Sequence, residues 1–217
     1  MKILSHRGYW ATAGEKNTEK AFRRSFVLGY GTETDIRDCR GELVISHDMA
    51  SGSEIRCTEF LKLAHEGIVP TGNPLTLALN IKADGLAGEL RRLLDSHSML
   101  DCFVFDMSVP DMRSYFDVGI PVFTRMSEVE VHPVWIEQAA GVWLDGFESE
   151  WYDISTIEGL LRMGKRVCIV SSELHKRPCH ALWERLKPLA GETSLMLCTD
   201  LPEDATRFFG NEPGDSK

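Results

Sequence analysis

The chain has 217 residues, 43% of them hydrophobic and 26% charged, the composition of an ordinary globular protein. Lys+Arg 24 against Asp+Glu 33 leaves a net charge of -9, which argues against nucleic acid as the main partner, because phosphate backbones need basic surface. A small phosphate ester bound beside a metal stays allowed, since a cation reverses the local field.

No run approaches the roughly 20 apolar residues of a membrane span, and the N-terminus turns polar too soon for a signal peptide. A cytoplasmic protein is expected. The six cysteines show no C-x-x-C spacing, and Cys102, Cys168 and Cys198 read as small buried thiols in apolar runs.

In chain order, a first strand over residues 2–5 ends at His6-Arg7-Gly8. Asn17-Thr18 can cap a helix whose apolar face is Ala21, Phe22, Phe26 and Leu28 and which Gly29 ends. A second strand over 32–37 turns at 38–41, and residues 42–46 return as a hairpin arm that leads into His47-Asp48. A helix over 57–66 has Gly67 after it. A strand over 75–81 contains Asn80 and precedes Lys82, and an amphipathic helix covers 86–97. Strands at 102–105, 121–124, 141–144, 166–170 and 195–198 then alternate with helices at 110–117, 154–163, 178–190 and 202–209. Residues 127–140 are helical or irregular. Asp200 is placed to cap the last helix, and 210–217 is a polar tail.

Eight short apolar strands, each followed by a helix-like segment, predict an α/β fold. It is a (β/α)8 TIM barrel of one domain, residues 1–209, with a small β-hairpin arm after strand 2. A doubly wound sheet would carry a Gly-rich phosphate turn after the first strand, and a single glycine follows His6-Arg7. A barrel collects its chemistry at the C-terminal ends of its strands. The residues there are His6-Arg7, Glu33 and Asp35, Asn80 and Lys82, Asp106, Arg125, Asp145, Ser171-Ser172 and Thr199-Asp200.

Glu33 and Asp35, two apart on a strand, point the same way and repel unless a cation or a proton sits between them. Oxygen ligands of this kind suit Mg²⁺ or Ca²⁺; a solvated edge partnered by Arg37 is the alternative. His6 and His47 end the strands that flank this pair, where one could take a proton and the other give one. Arg7 offers forked donors for a phosphoryl group and Lys82 a compact charge, although either also suits an ion pair to Glu33 or Asp35.

These residues carry a resemblance. His6-Arg7-Gly8, Asn17-Thr18 with Ala21-Phe22, Gly31 with Glu33 and Asp35, then Gly41 and His47-Asp48 resemble the signature of the glycerophosphodiester phosphodiesterase family. That family belongs to the phosphatidylinositol-phospholipase-C-like phosphodiesterase superfamily. Further on, Asn80-Ile81-Lys82 falls where the family has Glu-x-Lys, and Thr199-Asp200-x-Pro202 is similar to its last strand. The resemblance implies a (β/α)8 barrel that hydrolyses glycerol phosphodiesters with one divalent cation, Mg²⁺ or Ca²⁺. It implies His6 and His47 as the acid-base pair, Glu33, Asp35 and Asn80 as metal ligands, and Arg7 and Lys82 as phosphate-binding residues. Asn80 stands where the family has a glutamate, so an uncharged amide oxygen replaces a carboxylate unless Asp106 or Asp145 compensates. Two alternatives follow: a phospholipase-D-like lyase that stops at a cyclic phosphate, and a phosphate-ester-binding barrel with weakened catalysis.

Overall fold

The computed structural model describes residues 1–71 and 74–210, so the expected polar tail lies, from residue 211 on, outside the described residues. Among the described residues nine strands are formed: β1 (Lys2–His6), β2 (Gly31–Cys39), β3 (Glu42–Ile45), β4 (Thr76–Ile81), β5 (Asp101–Phe105), β6 (Phe123–Met126), β7 (Gly141–Leu144), β8 (Arg166–Val170) and β9 (Leu195–Thr199). The helices are α1 (Glu19–Val27), α2 (Cys57–Thr71), α3 (Ala87–Asp95), α4 (Val109–Asp117), α5 (Ile154–Arg162), α6 (His180–Leu186) and α7 (Pro202–Phe209). The strand order β5-β4-β2-β1-β9-β8-β7-β6, with β3 paired to β2 outside that path, is the order of a (β/α)8 barrel. The chain forms two compact units, Ser5–Val122 and Met1–Leu4 with the chain from Phe123 onward.

In the unit of residues 5–122, β2 pairs in parallel with β4, and β4 with β5. β3 returns antiparallel along β2, with Ile36 opposite Ile45. β4 is buried at every position, which is why its sequence, Thr-Leu-Ala-Leu-Asn-Ile, does not alternate. Its apolar cluster joins Phe22 and Phe26 of α1, Phe60 and Leu61 of α2, Leu77 and Leu79 of β4 and Leu90 of α3. The Phe22 and Phe60 rings meet edge to face at 4.7 Å between centroids.

Local chemistry sets the boundaries. Thr18 caps α1, its side chain accepting from the Ala21 amide. α2 continues past Gly67 rather than stopping there: a Cβ at Gly67 would lie 2.7 Å from the Cβ of Phe26, so the glycine serves close packing of α2 on α1. Gly8 has φ 80°, and a Cβ there would meet the Ala21 Cβ at 2.8 Å and the Ala21 carbonyl carbon at 2.9 Å. Gly8→Ala is therefore expected to cost about 2 kcal/mol or more, read as a lower urea midpoint at unchanged slope.

In the other unit β6, β7, β8 and β9 pair in parallel, with Trp143 opposite Cys168 and Cys168 opposite Met196. Asp153 caps α5, its carboxylate accepting from the Thr156 amide at 2.9 Å. Residues 127–140 form no helix. The helix expected over 178–190 is broken: α6 ends at Leu186 and a 3-10 turn over Lys187–Leu189 follows, because Pro188 offers no amide proton. Asp200 does not cap α7; Leu201 holds that position, with Pro202 in the first turn.

Among the described residues no helix is long and apolar enough to cross a membrane.

Candidate active site

The site candidates His6, Arg7, Glu33, Asp35, His47, Asn80 and Lys82 all fall in the unit of residues 5–122. The parallel register sets Asp35 of β2 beside Asn80 of β4, and Asn80 beside Phe105 of β5. Glu33 and Asp35 are buried, at 2% and 0% exposure.

Asp35 is the hub. Arg7 Nε lies 3.1 Å from its Oδ2 and Lys82 Nζ 3.2 Å from its Oδ1. Asn17 Nδ2 donates to Oδ2 at 2.8 Å, while Asn17 Oδ1 accepts from the Thr34 hydroxyl at 2.9 Å. Backbone bonds hold these groups in place. The Arg7 amide donates to the Glu33 carbonyl, the Asn17 amide to the Arg7 carbonyl, and the Lys82 amide to the Ile36 carbonyl, each at 2.9 Å. Arg7 and Asn17 both have left-handed backbones, with φ 59° and 58°. The ion pairs that the sequence left open for Arg7 and Lys82 thus form, and both run to Asp35.

Glu33 differs. Its Oε2 lies 3.9 Å from His6 Nε2 and accepts no hydrogen bond. Burial raises its pKa, to about 8, with the Asp35 charge adding to the rise and Arg7 and Lys82 opposing it. Asn80, 8% exposed, donates from Nδ2 to Asp106 Oδ2 at 3.4 Å, and its Oδ1 accepts no hydrogen bond. The buried oxygens Glu33 Oε2, Asp35 Oδ1 and Asn80 Oδ1 accept no hydrogen bond, and oxygens of this kind suit a hard divalent cation. No three His, Cys, Asp or Glu side chains among the described residues are grouped to hold a metal ion.

His47 follows the hairpin. The Ser46 amide donates to the Asp35 carbonyl at 3.0 Å, so His47 is one residue from a direct link to the hub. Its Nδ1 lies 2.9 Å from Asp48 Oδ1, and this hydrogen bond lowers the Asp48 pKa. His47 and Arg7 line a cleft of about 530 Å³ with Lys16, Asn17, Ser46 and Asp48. Trp10 Nε1 donates to the His6 carbonyl at 3.1 Å, and Lys16 Nζ stands 4.4 Å above the Trp10 ring. Among the described residues the His47 side chain pairs with Asp48, not with the carboxylate pair.

Sequence reasoning gave Asn17 only a capping role and Asp48 none. Two signals pointed to Asn17: it belongs to the run that carries the family resemblance, and it is followed by Thr18, a sufficient cap, which frees the amide for another task.

The strand ends of the other unit carry their own polar network. Asp145 Oδ1 lies 2.7 Å from His175 Nε2 and accepts from the Gly146 amide at 2.8 Å. Ser172 donates to Glu150 at 2.7 Å, Thr199 to Glu173 at 2.5 Å, and Arg125 pairs with Glu130 at 2.5 Å. His175, given no role from sequence, is thus the partner of Asp145.

No family model and no curated protein matches the chain. Solved structures do. A glycerophosphodiester phosphodiesterase from Agrobacterium tumefaciens str. C58 matches with TM-score 0.67 and 15% identity over 97% of this chain and 99% of that one. A Ca²⁺-dependent phosphatidylinositol-specific phospholipase C from Streptomyces antibioticus matches with TM-score 0.62 and 11% identity over 96% and 95% of the two chains. A mutant tryptophan synthase alpha-subunit from Pyrococcus furiosus matches with TM-score 0.55 and 14% identity over 98% and 96%. The third protein bears a name from different chemistry, so the likeness carries the fold and the residues must carry the function. The chain has the (β/α)8 barrel fold of a glycerophosphodiester phosphodiesterase and of a phosphatidylinositol-specific phospholipase C, the fold that the motifs of its first 48 residues imply.

Proposed function

We propose that this chain is a phosphoric diester hydrolase that cleaves a glycerophosphodiester, or a similar small polar head-group ester, to sn-glycerol 3-phosphate and an alcohol. One observation carries the reading: a buried carboxylate pair flanked by Arg7 and Lys82, with His6 in reach of Glu33. The fold shared with named phosphodiesterases supports it.

Arg7 and Lys82 bind and orient the phosphoryl group by charge and hydrogen bonds. Glu33, Asp35 and Asn80 would hold one divalent cation, Mg²⁺ or Ca²⁺, which when bound neutralises charge building on the phosphoryl oxygens. The hydrogen bond from His47 Nδ1 to Asp48 fixes the tautomer that leaves Nε2 as the proton carrier. His6 is the second carrier.

A substrate hydroxyl next to the phosphate attacks phosphorus. One imidazole takes its proton, and the other gives a proton to the departing alcohol oxygen. The P–O bond to the alcohol breaks as the ring P–O bond forms, leaving a cyclic phosphate. Water then opens the ring with the two imidazoles in exchanged roles.

A panel of glycerophosphodiesters, each with Mg²⁺, Ca²⁺ or a chelator, tests the reading. Release of glycerol 3-phosphate that depends on the cation and stops with chelator is expected. Accumulation of cyclic phosphate would make the chain a lyase, and binding of phosphate esters without turnover would make it a binding barrel.

A further inference from the structure

We propose that Lys16 is a further substrate-binding residue, its ammonium holding a phosphoryl oxygen in the cleft that His47 and Arg7 line. The proposal rests on the hydrolase reading above and deepens it by a residue to which the family resemblance gives no role.

Place is the first argument. The cleft of about 530 Å³ has His47 on its wall, and the lysine and arginine among its described lining residues are Lys16 and Arg7. Lys82 is not one of the lining residues; its Nζ reaches Asp35 Oδ1 from the position after β4. A phosphodiester that enters where His47 can serve it therefore meets Arg7 and Lys16 first. The carboxylates of the same lining have donors of their own. Glu19 accepts from Arg23, Asp48 bonds to His47, and Glu54 accepts from the Ser51 and Gly52 amides.

The support under Lys16 is the second. Lys16 is half-buried, and its Nζ stands 4.4 Å from the centre of the Trp10 ring. Trp10 is half-buried too, and its Nε1 donates to the His6 carbonyl at 3.1 Å. A ring face attracts an ammonium through its quadrupole, and the ammonium has three N–H donors to offer around it. The residues on both sides of Lys16 are pinned. Glu15 accepts from the Ala11 amide at 2.9 Å and from Arg24 at 3.0 Å. Asn17 gives its amide to the Arg7 carbonyl and its Nδ2 to Asp35 Oδ2. The residue after Lys16 is thus tied to Arg7 and Asp35 at once, which fixes the two cations of the cleft relative to each other.

Chemistry is the third. A phosphodiester spreads its charge over two non-bridging oxygens. The Arg7 guanidinium offers a planar fork and the Lys16 ammonium a compact charge, and two such groups on one wall can hold both oxygens.

Steady-state kinetics on a glycerophosphodiester, and calorimetry with sn-glycerol 3-phosphate, test the proposal on wild type, Lys16→Met and Lys16→Arg. Lys16→Met keeps the stem on the Trp10 ring and removes the charge. It is expected to raise KM about tenfold and to weaken glycerol 3-phosphate binding by about the same factor. Its kcat should stay within about threefold of wild type, because the lost contact is made in the ground state as well as the transition state. Lys16→Arg keeps the charge and the ring contact and should recover most of the loss. A residue that only steadied Trp10 would move the melting temperature and leave KM in place. If Lys16→Met binds and turns over as wild type does, the proposal falls and the hydrolase reading stands. If wild type neither turns over a glycerophosphodiester nor binds glycerol 3-phosphate, both fall together. Should Lys16→Met fail to fold, Lys16→Gln is read in the same way: a raised KM supports the proposal, and an unchanged one overturns it.

Discussion

Replacing His47 by alanine is expected to lower turnover of a glycerophosphodiester by about 10²- to 10⁴-fold and to leave the melting temperature where it was. The two halves of that result have separate causes. His47 is 46% exposed and its side chain bonds to the neighbouring Asp48, so the fold loses little when the ring goes. A proton carrier contributes through its own titration, so the chemical step loses the whole of it. Asp48→Asn keeps the ring and weakens the bond that orients it, and a smaller loss, about tenfold, is expected. His6→Ala should match His47→Ala in turnover. Steady-state kinetics with thermal melts on the three variants checks the set, and full activity in either alanine variant would refute the two-histidine mechanism.

Asp35 and Glu33, two residues apart, should respond to neutralisation in opposite directions. Asp35 is fully buried, accepts a hydrogen bond from Asn17 and pairs with the charges of Arg7 and Lys82. Asp35→Ala leaves two mostly buried cations without their carboxylate. A loss of about 3–5 kcal/mol is expected, on the order of 10 °C in melting temperature. Glu33 is buried with a carboxylate oxygen that has no hydrogen-bond donor, and its pKa is raised from 4.5 to about 8. Between those values the native chain keeps a proton that the unfolded chain has released. Stability is thus greatest below pH 4.5 as far as this group goes, and falls as pH rises through the window to about 8. Glu33→Gln removes that dependence, so at pH 8 with chelator the variant should melt several degrees higher than wild type while losing turnover. Melts at pH 5 and pH 8 measure both signs, and a destabilised Glu33→Gln at pH 8 would sink the argument.

The carboxylate pair was readable in sequence because strand geometry alone puts residues 33 and 35 on one side. The barrel reading put Asn80 at a strand end, and only the resemblance made it a ligand; the register that pairs it with Asp35 is a contact between strands distant in sequence, which local pattern does not encode. Asn17 was misread for a related reason. An asparagine before a helix looks like a cap, and its contact with Asp35 exists only once the loop folds back on β2. Gly67 looked like a helix end because glycine ends many helices, whereas the approach of Phe26 that requires it comes from another helix. The eight-strand count held since buried parallel strands advertise themselves as apolar runs, while the break at Pro188 went unread in a segment whose apolar periodicity continued past it.

The hairpin of β2 and β3 has a consequence for how this site tolerates change in chain length. His47 owes its address to an antiparallel pairing, whereas Asn80 and Lys82 owe theirs to the parallel ladder. Residues added in the turn at Arg40-Gly41 leave the pairing of Ile36 with Ile45 intact, so the histidine stays where it is. A single residue gained or lost within β3 slips the register by one and turns every side chain after it to the opposite face. The loop tip can therefore vary in length, while the four residues of β3 cannot.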